Sequence, residues 1–299
     1  MAQLFFNCPS LNGSKNSQKT AKDRTFKHYF QHTKLIIWDE ISPQHRYCAE
    51  ALDRTCWGIR STSPEDLISF IYDSIDSNPP PGPDYFLNQS ILAARNVDVA
   101  DTNIDILQRM AGEMKTYLSA DSVIEEDGAD STGNLPIPLK FLRSVNSSSL
   151  PPGELSLKVG CPIILLWNLA PSQGLCNGTR MVVTKMGECV LEVRLIGGDH
   201  DGTICLIPRI LLILTDTGDI NFKFWRRQFP VRLAFAMTIN KAQGQSVKFV
   251  GLDLRVPVFA HGQLYVALSR ATSHSRVKVL LKENMRTTTN VVYKQVLID

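Results

Sequence analysis

The sequence predicts an α/β domain interrupted by a β-rich insertion, and three observations carry that reading. An apolar run, "KLIIW", ends on the adjacent carboxylates Asp39 and Glu40. Strand-then-helix patterns recur in "QSILAARNVDVADTNIDILQRMAG" and in "VRLAFAMTINKAQG". Between these, from Leu155 to about Phe224, short β-rich runs alternate with turn formers such as "CNG", "GGDHDG" and "DTGD". Strands alternating with helices build a parallel sheet, whereas closely spaced strands with tight turns build a small barrel.

In chain order, residues 1–33 are polar and mixed, with a helix expected around Ala21 to His32. "KLIIW" reads as a buried parallel strand, since such strands are near-continuous apolar runs. "QHRYCAEALDRTCWGI" follows with Tyr47, Ala51, Leu52 and Thr55 at roughly helical spacing. "SNPPPGPD" is a stiff turn or linker that no helix interior or central strand tolerates. "QSILA" then predicts a strand, Asn96 a cap, and the following residues an amphipathic helix closed near Gly112. Residues 122–153, rich in Gly, Pro, Ser and acids, read as loop. After the β-rich block, "VRLAFAM" predicts a strand leading into "TINKAQG", where Thr238 caps a short helix, and "FVGLDL" predicts another strand. In "HGQLYVALSRAT" Leu264, Ala267, Leu268 and Ala271 form an apolar stripe, with Gln263 and Arg270 on another face. "RVKVLL" predicts a final strand.

The 299 residues are 43% hydrophobic and 20% charged, a globular composition. A net charge of +3 is too small to drive nucleic-acid binding, which would have to come from local basic clusters. The seven cysteines include no C-x-x-C, so reduced thiols in an intracellular protein are expected rather than zinc or disulfides. The longest apolar stretches are too short or too interrupted to span a bilayer, and the first residues lack a secretory signal, so the expected protein is soluble.

Three stretches carry chemistry. At the end of a strand, an Asp such as Asp39 can hold Mg²⁺ on a nucleotide while the next carboxylate, Glu40, polarises water. A solvated acid pair after any apolar strand is the alternative. "TINKAQGQS" crowds hydroxyl, amide and ammonium groups around a turn in which Gly244 allows close backbone approach, as phosphate oxygens require. Upstream, "FKFWRRQFPVR" interleaves basic and aromatic residues, either as stacking platforms for a single strand or as a basic loop over an aromatic core. Arg270, on its helix, can neutralise charge on a transferring phosphoryl group or serve as a surface ion-pair partner. Gly13 to Thr20, "GSKNSQKT", comes within one residue of a phosphate loop. Gln18 stands where that loop needs Gly, too few residues separate it from Asp39 for a helix and a return strand, and the likeness is chance.

Taken together, the order "LIIWDE … ILAARN … LCNGTRMVV … FAMTINKAQGQS … HGQLYVALSRAT" resembles the Petite Integration Frequency (PIF) family of 5′-to-3′ DNA helicases, above all the helicase domain of Helitron transposons. The resemblance covers nearly the whole chain and implies a P-loop NTPase (RecA-like) fold: a remnant of the first RecA-like domain over 1–62, the start of the second over 63–139, a β-barrel insertion over 140–225, and the end of the second over 226–299. It implies ATP and Mg²⁺, with Asp39 on the metal, Glu40 activating water, Gly244 and Gln245 near the γ-phosphate, and Arg270 as arginine finger. It places Thr238, Asn240, Lys241 and Gln243 on or near the DNA path, with Asn177 and Gly178 in the matching segment of the insertion.

The implied partners are single-stranded DNA and duplex junctions, the implied state a monomer, and the implied location the nucleus, with the mitochondrion as the family's other address. Family roles are repair, recombination and telomere maintenance. The sequence departs from the family pattern in two places: the phosphate loop that should precede Asp39, and the sensor block expected after "DRTCWGIR". The expectation is an ATP-dependent helicase sequence, truncated and weakly active or inactive as an isolated chain. The alternative is a non-catalytic single-stranded-DNA-binding remnant.

Overall fold

The computed structural model describes residues 60–77, 80–124, 137–145, 150–214, 222–245, 247–271, 274–285 and 287–291. The Asp39–Glu40 pair, the "KLIIW" strand and the helices expected before Cys56 lie outside them.

A five-stranded parallel sheet forms the body. It comprises β1 (Arg60–Ser61), β2 (Gln89–Ala93), β13 (Ala236–Thr238), β14 (Phe249–Leu254) and β15 (Val277–Leu281), in the order β1-β15-β14-β2-β13. β2 is buried along its whole length, as a central parallel strand should be. Alternate residues feed opposite faces: Ile91 and Ala236 join one core cluster, Leu92 and Met237 another.

Helix α1 (Pro64–Ile71) starts cleanly because Ser63 Oγ accepts from the Asp66 N–H at 3.1 Å and Pro64 sits in the first turn. It packs on β14, β15 and β2 through Leu67, Ile68 and Ile71. Gly251 makes that packing fit, since a Cβ there would lie 3.0 Å from both Ile71 Cγ1 and Ile91 Cγ1. After the short α2 (Pro83–Leu87) and β2 comes α3 (Asn96–Arg109), whose cap position is Arg95 rather than the expected Asn96. Arg95 instead pairs with Asp98 at 2.7 Å in the first turn, where the helix dipole also favours the acid. Asn103 of α3 bonds both ways to edge strand β13, donating to the Ala236 carbonyl at 3.0 Å and accepting from the Ala236 N–H at 2.8 Å.

The β-rich block holds three sheets. Strands β6 (Pro162–Leu165), β7 (Arg180–Met186), β8 (Val190–Leu195) and β9 (Ile204–Pro208) form an antiparallel meander, with β12 (Val231–Leu233) added beside β6. A second sheet has the order β10-β11-β4, from β10 (Ile210–Leu214), β11 (Phe224–Gln228) and β4 (Ala120–Val123). The pair β3 (Lys115–Leu118) and β5 (Glu154–Leu157) completes the block. The stretch expected as loop over 122–153 contains helix α4 (Leu139–Ser144). The block shares one continuous core with α1 and α3.

Two expectations are corrected here, and one open choice is decided. The boundary placed between 225 and 226 falls inside β11. "VRLAFAM" is two strands: β12 pairs with β6, and after Ala234 and Phe235 the chain crosses to the parallel sheet as β13. "FKFWRRQFPVR" is not a row of stacking platforms, because Phe224 and Phe229 are core residues and Arg226 is 0% exposed. Arg226 forms a buried ion pair with Asp121 at 2.9 Å and also donates to the carbonyls of Leu142, Val145 and Pro151.

Candidate nucleotide and nucleic-acid site

The carboxyl edge of the parallel sheet is where α/β folds hold ligands, and β13 delivers the "TINKAQG" turn there. Ile239–Ala242 form a single 3₁₀ turn rather than an α-helix. Thr238 occupies the cap position, but its side chain makes no capping hydrogen bond. In a 3₁₀ turn residues three apart eclipse, so Ile239 and Ala242 both enter the core and leave Asn240, Lys241 and Gln243 exposed. Gly244 follows at φ +81°, a left-handed conformation suited to glycine, with open space where a Cβ would stand. The Gln245 N–H closes the turn on the Ala242 carbonyl at 3.0 Å.

Lys241 is exposed as a residue, and desolvation together with repulsion from Arg232 pushes its pKa below the ordinary lysine value.

Helix α5 (Gln263–Ser269) supplies the opposite side. Its buried face runs through Gln263, Ala267 and Ala271, and Leu268 is 39% exposed, so the expected stripe is rotated. Gln263 belongs to the buried face because its Oε1 accepts from the N–H groups of Phe259 and Ala260, fastening the loop before the helix. Arg270 sits at the helix C-cap. Its Nε donates to the Val266 carbonyl at 3.0 Å, Nη2 to Ser269 Oγ at 2.9 Å, and Nη1 to the Gln245 carbonyl at 3.0 Å. The structure therefore brings Arg270 to the Gly244–Gln245 turn.

The insertion meets the same region. Asn177 and Gly178 form an exposed turn, with the Asn177 N–H on Asn168 Oδ1 at 2.7 Å and the Gly178 N–H on the Leu165 carbonyl at 2.8 Å. Gly178 has φ +92° and nothing within 4 Å of a Cβ position. A cleft of about 420 Å³ is lined by Gly178, Thr179 and Arg180 together with Gln245 and Val247. Sequence reasoning missed Arg180; a basic residue opening the apolar run "RMVV" two positions after Gly178 was the available signal. The Mg²⁺ and water roles expected of Asp39 and Glu40 fall outside the described residues.

Comparison with known proteins gives two family matches. Residues 1–69 match "PIF1-like helicase", and residues 140–186 match "DNA helicase Pif1, 2B domain". The chain is 33% identical over 201 residues to the ATP-dependent DNA helicase PIF1 of Rattus norvegicus, and 34% identical over 192 residues to that of Homo sapiens. The chain is similar to PIF1-like helicases over these segments.

Each of those alignments covers 63% of this chain, and the chain spans only 27% and 26% of the two PIF1 relatives. Among solved structures, the Pif1 helicase from Candida albicans matches with a TM-score of 0.52 at 24% identity, covering 79% of this chain and 53% of that one. The Bacteroides Pif1 helicase in complex with ADP-AlF3 and ssDNA matches with a TM-score of 0.51 at 20% identity, covering 83% and 52%. The fold is that of Pif1 helicases, α/β and RecA-like. The first family match contains Asp39 and Glu40; the second contains Asn177, Gly178 and Arg180.

Proposed function

We propose that this chain carries ATP-dependent DNA helicase machinery that moves 5′ to 3′ on single-stranded DNA. The observation that carries the proposal is the Arg270 guanidinium on the Gln245 carbonyl at 3.0 Å, which joins the helix-end arginine to the turn after β13. In this reading Arg270 is the arginine finger, and Gly244 and Gln245 lie by the γ-phosphate. Asn240, Lys241 and Gln243, exposed on the 3₁₀ turn, contact the DNA backbone together with Thr238. Asn177 and Gly178 grip the strand from the insertion side of the cleft. Asp39 would hold Mg²⁺, which would supply charge neutralisation on the phosphates, and Glu40 would orient the attacking water.

Two relatives are named ATP-dependent DNA helicase PIF1, and one structural neighbour was solved with ADP-AlF3 and ssDNA; both support the reading. A nuclear role in repair, recombination or telomere maintenance, or a transposon origin, belongs to the same proposal. The 299 residues contain no G-x-x-x-x-G-K-[ST] loop, so on their own they should turn ATP over slowly.

The experiment is steady-state ATP hydrolysis with and without single-stranded DNA, alongside unwinding of a forked duplex, for the protein carrying this chain. Arg270→Ala should lower DNA-stimulated turnover by about 10³-fold, the scale of an arginine finger. Turnover unchanged in both Arg270→Ala and Glu40→Gln overturns the assignment.

A further inference from the structure

Arg180 opens β7, two residues beyond the Asn177–Gly178 turn, and is 7% exposed. Among the described residues, every hydrogen bond of its guanidinium goes to a backbone carbonyl. Nη2 donates to Phe86 at 2.8 Å and reaches Gln89 and Ala234 at 3.5 Å, and Nη1 reaches Leu87 at 3.5 Å. Nε is buried without a partner, and burial lowers the pKa of the group. A buried cation with neutral acceptors alone is a costly way to pack a core, so its planar fork rather than its stability is what the site gains.

The acceptors define what the fork joins. Phe86 and Leu87 end α2, and Gln89 begins β2. Ala234 lies at the crossing from the insertion to the parallel sheet, where its N–H also donates to the Pro162 carbonyl at 3.0 Å. Two residues after Ala234 comes β13, which runs straight into Thr238 and the 3₁₀ turn. One side chain thus links the strand that follows Gly178 to the chain leading into Thr238, and it lines the same cleft as Gln245.

We infer that Arg180 is a positioning residue that holds the Asn177–Gly178 turn in register with the Thr238–Gln245 turn, so that both grip one DNA strand together. The inference rests on the proposed DNA-contact role of those turns. Lysine cannot replace it, because an ammonium lacks the fork that spans several carbonyls.

The test is a double-mutant cycle on oligo-dT affinity, read by fluorescence anisotropy in the 299-residue chain. Asn177→Ala and Lys241→Ala are measured singly and together, first with Arg180 and then with Arg180→Lys. With Arg180 the two substitutions should be non-additive by about threefold or more, and with Arg180→Lys additive within about twofold. Equal coupling in both backgrounds overturns the inference while leaving the DNA-contact reading intact. Single substitutions without effect on affinity overturn that reading and the inference with it. Hydrogen exchange on the unsubstituted chain gives a second measurement that needs no variant to fold. Oligo-dT should slow exchange over 175–182 and 236–245 at the same DNA concentration, and protection confined to one segment contradicts the inference.

Discussion

The Nη1 group of Arg270 donates to the Gln245 carbonyl at 3.0 Å, which ties the end of α5 to the turn after β13. The Val247 N–H on the Arg270 carbonyl at 3.4 Å adds a second strand-like contact between the same segments. Removing the guanidinium should loosen the turn before it disturbs the core, because Nη1 touches Ala242 only at its backbone carbonyl, at 3.5 Å, while Ile239 and Ala242 are held by core packing. Arg270→Ala should therefore speed amide exchange over 243–247, leave β14 and β15 unchanged, and shift the unfolding midpoint only slightly. Hydrogen exchange with peptide resolution checks this.

Lys241 gives a pH-dependent prediction. Its pKa is pushed below the usual lysine value by burial and by Arg232, so it loses its proton earlier than an exposed lysine as pH rises. The proposed attraction for DNA phosphate is then complete at neutral pH and fades as pH rises, earlier than it would for an exposed lysine. Oligo-dT affinity should fall over that range in the unsubstituted chain and stay level in Lys241→Arg. Binding measured along a pH series at constant ionic strength decides it.

The Asp121–Arg226 pair, both side chains 0% exposed, holds β4 to β11 and fastens the carbonyls of Leu142, Val145 and Pro151. Breaking a buried pair from one side strands a charge and costs roughly 3–5 kcal/mol, whereas apolar replacement of both sides is often neutral. Arg226→Met alone should destabilise by that amount in urea unfolding. Adding Asp121→Leu should recover most of the loss, less what the three freed carbonyls cost.

Edge strand β13 depends on Asn103. Its amide satisfies both backbone groups of Ala236, one strand residue before the turn-bearing Met237–Thr238. Asn103→Ala leaves a buried N–H and C=O without partners, a loss of roughly 1–3 kcal/mol. Chemical denaturation measures the loss, and Asn103→Asp should rescue the N–H contact but not the carbonyl contact.

Much of this was legible along the chain. "QSILA" followed by a 14-residue helix announced itself through the apolar run "ILA" and helical periodicity, and the structure differs in using Arg95 as the cap residue. The Gly244 turn was legible because a glycine beside polar residues at a strand end has few other uses. Partners were not legible. "VRLAFAM" shows strand character throughout, but nothing local says that Val231–Leu233 pairs with β6 and Ala236–Thr238 with β2. Arg226 looked like a solvated basic residue because its carboxylate lies 105 residues away. Arg180 was hidden for the same reason, its acceptors being backbone carbonyls 54 to 94 residues distant. The stripe on α5 was misplaced because Gln263 has a polar side chain that is buried by bonding to the loop before it.

The central claim is that the Thr238–Gln245 turn binds single-stranded DNA through its exposed polar residues. Oligo-dT binding by the 299-residue chain, titrated over a salt series without nucleotide, tests it most directly. The account predicts affinity that falls steeply with salt, and a slope in log K against log salt that Lys241→Ala reduces by about 0.7, one phosphate contact on a single strand. An absence of binding at low salt, or a slope untouched by Lys241→Ala, contradicts it.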